Sequence, residues 1–414
     1  MDYTNLESIE TKIGRYLAEK RSEYKFLLKT KKEKLTEIKL KEINDIITKT
    51  YNIEKNTEIK KIKESLISNI PVSIFIDENV LIGNRILELI SPKLQDSQII
   101  TSKEIFTDFK NYFKEENIIA IDNLNGEALK DIISDVNNND FKFLIGIGGG
   151  RVMDILKYIM MKTNKYCVAI PSSLATHVYT SPKITISPAL AELGEIVTID
   201  SPVPNIVIID INFLSNLQET NPRLIRAGLG DMMACITALE DWKLAEQYQT
   251  TKVNHAIIDM INLIIERLSK IDVEKPLKDW VEDYIFLQTL LCRISGWAGS
   301  APVSGSEHLF AIAAENNFSN PPLHGELVAL GAIIMTYIQE KSYKQVSQLA
   351  RKLKLPISLS EIGISIEQVI DALQNTKKIA RKKGRFTIIN KLNMDKKYCY
   401  NVINTLLKEG SIRK

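Results

Sequence analysis

The sequence predicts an α/β fold in which a parallel, doubly wound sheet domain is followed by an all-helical domain. Three observations carry that prediction. Short apolar runs alternate with helical stretches between residues 72 and 210. One of those runs ends in Gly148-Gly149-Gly150 and leads straight into a helix. Beyond about residue 215 the β signal fades and long segments of helical apolar periodicity take over.

Taken in order, residues 1–68 are polar, lysine-rich and nearly free of Gly and Pro. Leu27, Leu28, Leu35, Ile38, Leu40, Ile43, Ile46 and Ile47 recur at helical spacing, so one or two amphipathic helices are expected. A solvated face on a helix packed against the body or a partner subunit is preferred over a membrane or nucleic-acid contact. Residues 69–214 form the expected sheet domain. Its strands are VSIFI (72–76), SQIIT (97–101), NIIAID (117–122), FKFLIGIGGG (141–150), CVAIPS (167–172) and NIVIID (205–210). Helices are expected at LIGNRILELI (81–90), GEALKDIISDV (126–136) and RVMDILKYIMMK (151–162). Residues 215–414 form the helical domain, with segments at 223–247, 252–270, 275–298, 304–315, 324–340 and 343–354. A ligand crevice is expected between the two domains.

At 414 residues, 44% hydrophobic and 25% charged, the chain has the composition of a two-domain globular protein. Its formal charge of +3, from 54 basic against 51 acidic residues, supplies no global argument for a nucleic-acid partner. The N-terminus lacks a signal-peptide core, and no stretch is apolar for long enough to span a bilayer. Cys167, Cys235, Cys292 and Cys399 are scattered and read as reduced thiols, so a cytoplasmic location is expected.

Gly148, Gly149 and Gly150 close a strand and open a helix, where a backbone without β-carbons can approach a pyrophosphate and free N–H groups face the anion. The spacing is not the GxGxxG fingerprint. Asp77, at the tip of the first strand, suits ribose hydroxyls and would repel a 2′-phosphate, favouring NAD over NADP; a helix N-cap is the equal alternative.

Asp231, His308 and His324 form a carboxylate-plus-two-imidazole set of the kind that holds a catalytic divalent metal with open positions. The chain has only four histidines, and these two lie in SGSEH and HGE contexts. The three residues are 77 and 16 positions apart, so only tertiary structure can bring them together. Asp231 is expected in the first turn of a helix beginning after Gly230. Cys235, one turn on, reads as an inert buried thiol, and His255 reads as structural.

The stretches DENVLIG (77–83), GGGRVMDILK (148–157), PSSLATHVYTSP (171–182), AGLGDMMACITALEDWKLA (227–245), SGSEHL (304–309), HGELVALG (324–331) and GRFTII (384–389) carry a resemblance. Over roughly residues 70–390 the chain resembles the glycerol-1-phosphate dehydrogenase branch of the superfamily that holds iron-type alcohol dehydrogenases and dehydroquinate synthase. That resemblance implies a dehydroquinate-synthase-like fold with a Rossmann-like dinucleotide domain and a helical metal domain. It implies that Asp231, His308 and His324 ligate the metal, usually zinc and sometimes nickel or iron. Gly148, Gly149, Gly150 and Asp154 fall on its dinucleotide loop, with Ser172 and Ser173 near the cofactor. Two departures matter. His177-Val178 stands where Asp-Gly is usual, and Ile312 stands where a second histidine usually follows the SGSEH motif.

The expected function is a metal-dependent, NAD(P)-linked oxidoreductase acting on a small phosphorylated ketone or alcohol, as a homo-oligomer. His177, Tyr179 and Lys183 are the expected catalytic positions. His177 is a candidate proton shuttle, and Lys183 and Arg385 are candidates for the substrate phosphate. A sugar-phosphate cyclase using NAD transiently is the alternative, disfavoured by the missing Gly-Gly-Lys-Thr. A non-enzymatic scaffold is disfavoured by the intact ligand set.

Overall fold

The computed structural model describes residues 73–74, 79–122, 124–163, 165–186, 197–317 and 321–414. The extension 1–68 and Asp77 lie outside the described residues. Two compact units divide the chain, the first ending at Thr220 and the second running Asn221–Lys414.

In the first unit, Val80–Gly83, Phe143–Gly148 and Ile206–Asp210 are buried throughout and become parallel strands, as expected where both faces are covered. The strands are β1 (Ser73–Ile74), β2 (Val80–Gly83), β3 (Ser97–Thr101), β4 (Ile118–Ala120), β5 (Phe143–Gly148), β6 (Tyr166–Pro171) and β9 (Ile206–Asp210). They lie in the order β1-β2-β9-β6-β5-β3-β4, parallel throughout except that β1 runs antiparallel to β2. Every residue of β5 and β9 is buried. The helices of this unit are α1 (Ile86–Ile90), α2 (Lys103–Phe109), α3 (Gly126–Asn138), α4 (Gly150–Lys162) and α5 (Ile211–Thr220). Phe106 and Phe109 of α2 pack with Ile99, Ile145, Val168 and Ile208 into one apolar core.

Two features of this unit differ from the sequence expectation. The stretch 81–90 is not one helix. Val80–Gly83 pairs with Val207–Asp210 as a strand, and only Ile86–Ile90 is helical. A short apolar run is compatible with either period, and pairing with β9 decides between them. The second difference is a separate antiparallel pair, β7 (Lys183–Ile186) with β8 (Val197–Asp200), which the sequence did not announce.

The second unit is helical: α6 (Pro222–Met232), α7 (Ala234–Gln247), α8 (His255–Lys270), α9 (Val281–Ala298), α10 (Ser306–Asn317), α11 (His324–Ile338), α12 (Tyr343–Lys352), α13 (Leu359–Ile362), α14 (Ile366–Lys382) and α15 (Lys396–Lys408). The expected segment 223–247 is broken at Met233. Asp231 therefore belongs to the last turn of α6, not to the first turn of a helix. None of the described helices is long and apolar enough to cross a membrane.

Glycines set how closely these helices approach. A β-carbon on Gly325 would lie 1.7 Å from the carbonyl oxygen of Ala227, and one on Gly230 would lie 2.3 Å from the carbonyl oxygen of Gly325. Backbone thus meets backbone where α6 crosses the start of α11. On the other side, a β-carbon on Gly331 would lie 2.9 Å from the carbonyl oxygen of Glu307, so α10 also lies close against α11. Gly325→Ala should therefore force the helices apart and lower stability by about 3 kcal/mol or more, read as a shift of the urea midpoint. An unchanged midpoint would contradict the close crossing.

Candidate metal centre and dinucleotide loop

The helix crossing brings the last turn of α6, the first turn of α10 and the first residue of α11 to one place. His308 Nε2 lies 3.3 Å from Asp231 Oδ1, and His324 Nε2 lies 3.7 Å from the same oxygen. One ligating atom from each of the three residues lies within 4.8 Å of the others. Asp231 is buried, and the two imidazoles are partly so.

The far side of each ring is also occupied. His308 Nδ1 is 2.9 Å from Glu307 Oε1, and His324 Nδ1 is 2.7 Å from Glu315 Oε1. In the neutral ring a carboxylate at Nδ1 holds the proton there and turns the Nε2 lone pair toward the common space; the tautomer is assigned from these partners. Two imidazole acceptors and a carboxylate converging on one point suit a zinc-like divalent ion, with coordination positions left for an oxygen ligand.

The motifs around these three residues have structural reasons. Glu307 is fully buried and accepts from Thr237 Oγ1 and from the Gly305 amide at 2.6 Å. Asp241 accepts from the Ser306 amide at 2.7 Å and the Ile388 amide at 2.9 Å. A β-carbon on Gly305 would lie 2.6 Å from Asp241 Oδ2. The TALEDW stretch therefore supports the turn that presents His308. Burial raises Asp241 to about 6, the nearby Glu307 charge adds to the rise, and hydrogen bonding from Ser306 and the Ile388 amide opposes it. Glu326, two residues after His324 and 1% exposed, takes a bidentate pair from Arg223 at 2.7 and 2.6 Å, tying α11 to the start of α6. Sequence reading missed Glu307, Glu315, Glu326 and Arg223 as partners. Only Glu307 and Glu326 carried a signal, through their places inside the SGSEH and HGE motifs.

Burial pulls the His308 pKa down, but hydrogen bonds and charges from Asp231 and Glu307 reverse this and raise it to about 9. His324 is raised in the same way, with burial opposing and Glu315 and then Asp231 prevailing. Cys235 lies in the interior, where burial raises its thiol pKa, and it is not among the converging atoms. His255 opens α8 and is likewise outside the cluster. Ile312 lies on α10 one turn beyond His308. Arg385 donates to Ser304 Oγ at 2.8 Å, to the Ser304 carbonyl and to Ser300 Oγ, so its guanidinium holds the loop before α10.

In the first unit, Gly148 ends β5, Gly149 caps α4 without a side-chain hydrogen bond, and Gly150 is the first helical residue. A β-carbon on Gly148 would meet Val152 Cγ2 at 2.4 Å, and one on Gly150 would meet Thr176 Oγ1 at 3.1 Å. At Gly149 the nearest atom would be Ser173 Oγ, at 3.9 Å. The Ser172 amide donates to the Gly148 carbonyl at 3.0 Å, so Ser172, Ser173 and Thr176 run beside the turn. The uncapped start of α4 can offer its N–H groups to a phosphate.

The remaining expected residues lie on the following stretch. His177 is half-buried and precedes a 3-10 turn over Val178–Thr180. Tyr179 is 1% exposed and belongs to the packed interior. Lys183 Nζ pairs with Asp200 Oδ1 at 2.5 Å across the β7–β8 pair. Asp154, in the second turn of α4, accepts from the Thr185 amide at 3.1 Å. Its carboxyl is raised to about 7 by burial, while Lys157 and that amide oppose the rise.

A family model described as iron-containing alcohol dehydrogenase matches residues 95–216. A glycerol-1-phosphate dehydrogenase (NAD(P)+) of Sulfolobus acidocaldarius is 32% identical over 345 residues, covering 80% of this chain and 94% of the relative. One from Archaeoglobus fulgidus is 28% identical over 346 residues, covering 78% and 93%. A crystal structure of a probable glycerol dehydrogenase from Sinorhizobium meliloti superposes with a TM-score of 0.59 at 16% identity, covering 80% of this chain and 97% of that one.

The raised imidazole has a measurable consequence. In metal-free protein, the His308 contribution to stability is complete below the ordinary histidine pKa of about 6.5 and is lost as pH rises through about 9. A divalent metal needs the neutral ring, so its affinity should instead rise with pH over that window, with roughly one or two protons released per ion at neutral pH. Calorimetric zinc titrations in buffers of different ionisation enthalpy read that release; its absence would remove the imidazoles from the ligand set.

Proposed function

The chain belongs to the glycerol-1-phosphate dehydrogenase family, and on that premise we propose that it interconverts dihydroxyacetone phosphate and glycerol 1-phosphate. It is a metal-dependent, NAD(P)-linked oxidoreductase. The observation that carries the assignment is the convergence of Asp231, His308 and His324 within 4.8 Å, with a carboxylate behind each imidazole.

In this reading Asp231, His308 and His324 hold one divalent metal, zinc by the chemistry of the donors. When bound, such an ion polarises the substrate carbonyl or lowers the pKa of the corresponding alcohol, and the dinucleotide exchanges hydride. The protein's own contribution is placement and charge. Glu307 and Glu315 keep both imidazoles turned with Nε2 forward, and Asp231 lowers the net charge of the site. The glycine turn and the start of α4 receive the dinucleotide pyrophosphate, with Ser172 and Ser173 alongside.

His177, half-buried on the loop after β6, is the residue we assign to proton exchange with water. Tyr179 is enclosed, so we assign it to holding that loop and not to proton transfer. The Lys183 charge is countered by Asp200 and Arg385 is engaged by Ser300 and Ser304, so neither carries the substrate phosphate in this reading.

Reduced nicotinamide should be consumed when dihydroxyacetone phosphate is supplied, lost after dialysis against chelator and restored by zinc. His308→Ala should lower kcat/KM by roughly a thousandfold while leaving the helical circular dichroism intact. Turnover indifferent to both chelator and His308→Ala would reject the metal assignment. Gly149→Ala has room for its methyl and should leave Tm unchanged while raising the dinucleotide KM roughly tenfold, because the methyl intrudes where the pyrophosphate approaches. An unaltered KM would remove the turn from the cofactor site.

A further inference from the structure

Besides the glycine turn, helix α4 carries two charged side chains whose partners lie on one short stretch of chain. Lys157 is fully buried, and its ammonium donates to the carbonyls of Ser181 at 2.9 Å and Lys183 at 2.6 Å. One turn earlier, Asp154 accepts the Thr185 amide at 3.1 Å. Side chains three residues apart on a helix lie on the same face. Together they take two carbonyls and one amide from the five residues Ser181–Thr185. The opposite charges of Asp154 and Lys157 also attract.

Burying an ammonium costs several kcal/mol unless its protons find acceptors and a counter-charge stands near. A methionine would fill a similar volume without that cost. The lysine is therefore best explained by the chain segment that it holds. That segment continues directly from the loop bearing His177, whose beginning is hydrogen-bonded to the glycine turn through the Ser172 amide and the Gly148 carbonyl. The loop is consequently attached to the β5–α4 unit at both ends. Ser172 fixes it before His177, and Lys157 and Asp154 fix it after.

We infer that Lys157 and Asp154 are positioning residues that lock the His177 loop onto the helix opened by the glycine turn. They act through the loop and touch neither dinucleotide nor substrate. The inference rests on the dehydrogenase reading for its kinetic consequence. It also reassigns Asp154, which family resemblance would give to the dinucleotide loop.

The test compares zinc-loaded full-length protein with Lys157→Met, Asp154→Ala and Asp154→Asn. NADH affinity, read by fluorescence titration, should stay within about twofold and zinc content should not change, whereas kcat with dihydroxyacetone phosphate should fall roughly tenfold or more. Asp154→Asn, which keeps an acceptor for the Thr185 amide, should lose less than Asp154→Ala. Amide hydrogen exchange of residues 181–186 should quicken in Lys157→Met and Asp154→Ala. Unchanged kcat in both of these variants would overturn the inference, as would weakened NADH binding at constant kcat, which would return the pair to the cofactor site. If Lys157→Met does not fold, Asp154→Ala gives the same readouts. If wild-type protein does not turn over dihydroxyacetone phosphate, the dehydrogenase reading fails. The exchange measurement then decides alone, and unchanged protection at 181–186 would overturn the lock.

Discussion

Two backbones in contact govern the second unit. Where α6 crosses the start of α11, Gly230 and Gly325 leave no side chain between the helices, and the Ala227 and Gly325 carbonyls fill the space where β-carbons would be. Asp231 follows one of these glycines and His324 precedes the other. The crossing therefore sets the separation of two of the three converging groups. Gly331 extends the arrangement by admitting α10, so that His308 arrives from the third direction. A ligand set drawn from three helices needs tolerances of a few tenths of an ångström, and backbone contact supplies a stiffer reference than long side chains do.

Charge completes what packing begins. Each imidazole lies between two carboxylates, Asp231 in front and Glu307 or Glu315 behind. Without a cation such an arrangement is satisfied by protons, which accounts for the upward shifts of both histidines. With a divalent cation the same carboxylates orient the rings and offset the added charge. Thr237, Gly305 and Asp241 hold the buried Glu307 and the turn beside it. The other residues of these motifs thus have work of a recognisable kind.

The buried strands were legible because parallel strands covered on both faces are apolar at their centres, as Ile99–Ile100, 143–148 and 206–209 are. The stretch 81–90 was not, since VLIG and ILELI read as one apolar run until β9 pairs with the first half. The β7–β8 pair escaped notice because polar Lys183, Thr185 and Asp200 dilute its pattern. Among functional groups, the rare histidines stood out in their motifs. Their supporting carboxylates did not, because Glu315 and His324 are nine residues apart on different helices and the chain has 51 acidic residues. Asp231 was assigned the correct neighbourhood but the wrong end of a helix, because the apolar periodicity runs on through Met233, where the helix breaks.

The central claim is that Asp231, His308 and His324 are the inner ligands of one zinc-like ion, and X-ray absorption at the metal edge of zinc-loaded protein tests it most directly. The account predicts only nitrogen and oxygen neighbours at about 2.0–2.2 Å, with scattering from two imidazoles that falls to one in His324→Ala. A sulfur neighbour at about 2.3 Å, or imidazole scattering unchanged by that substitution, would contradict it.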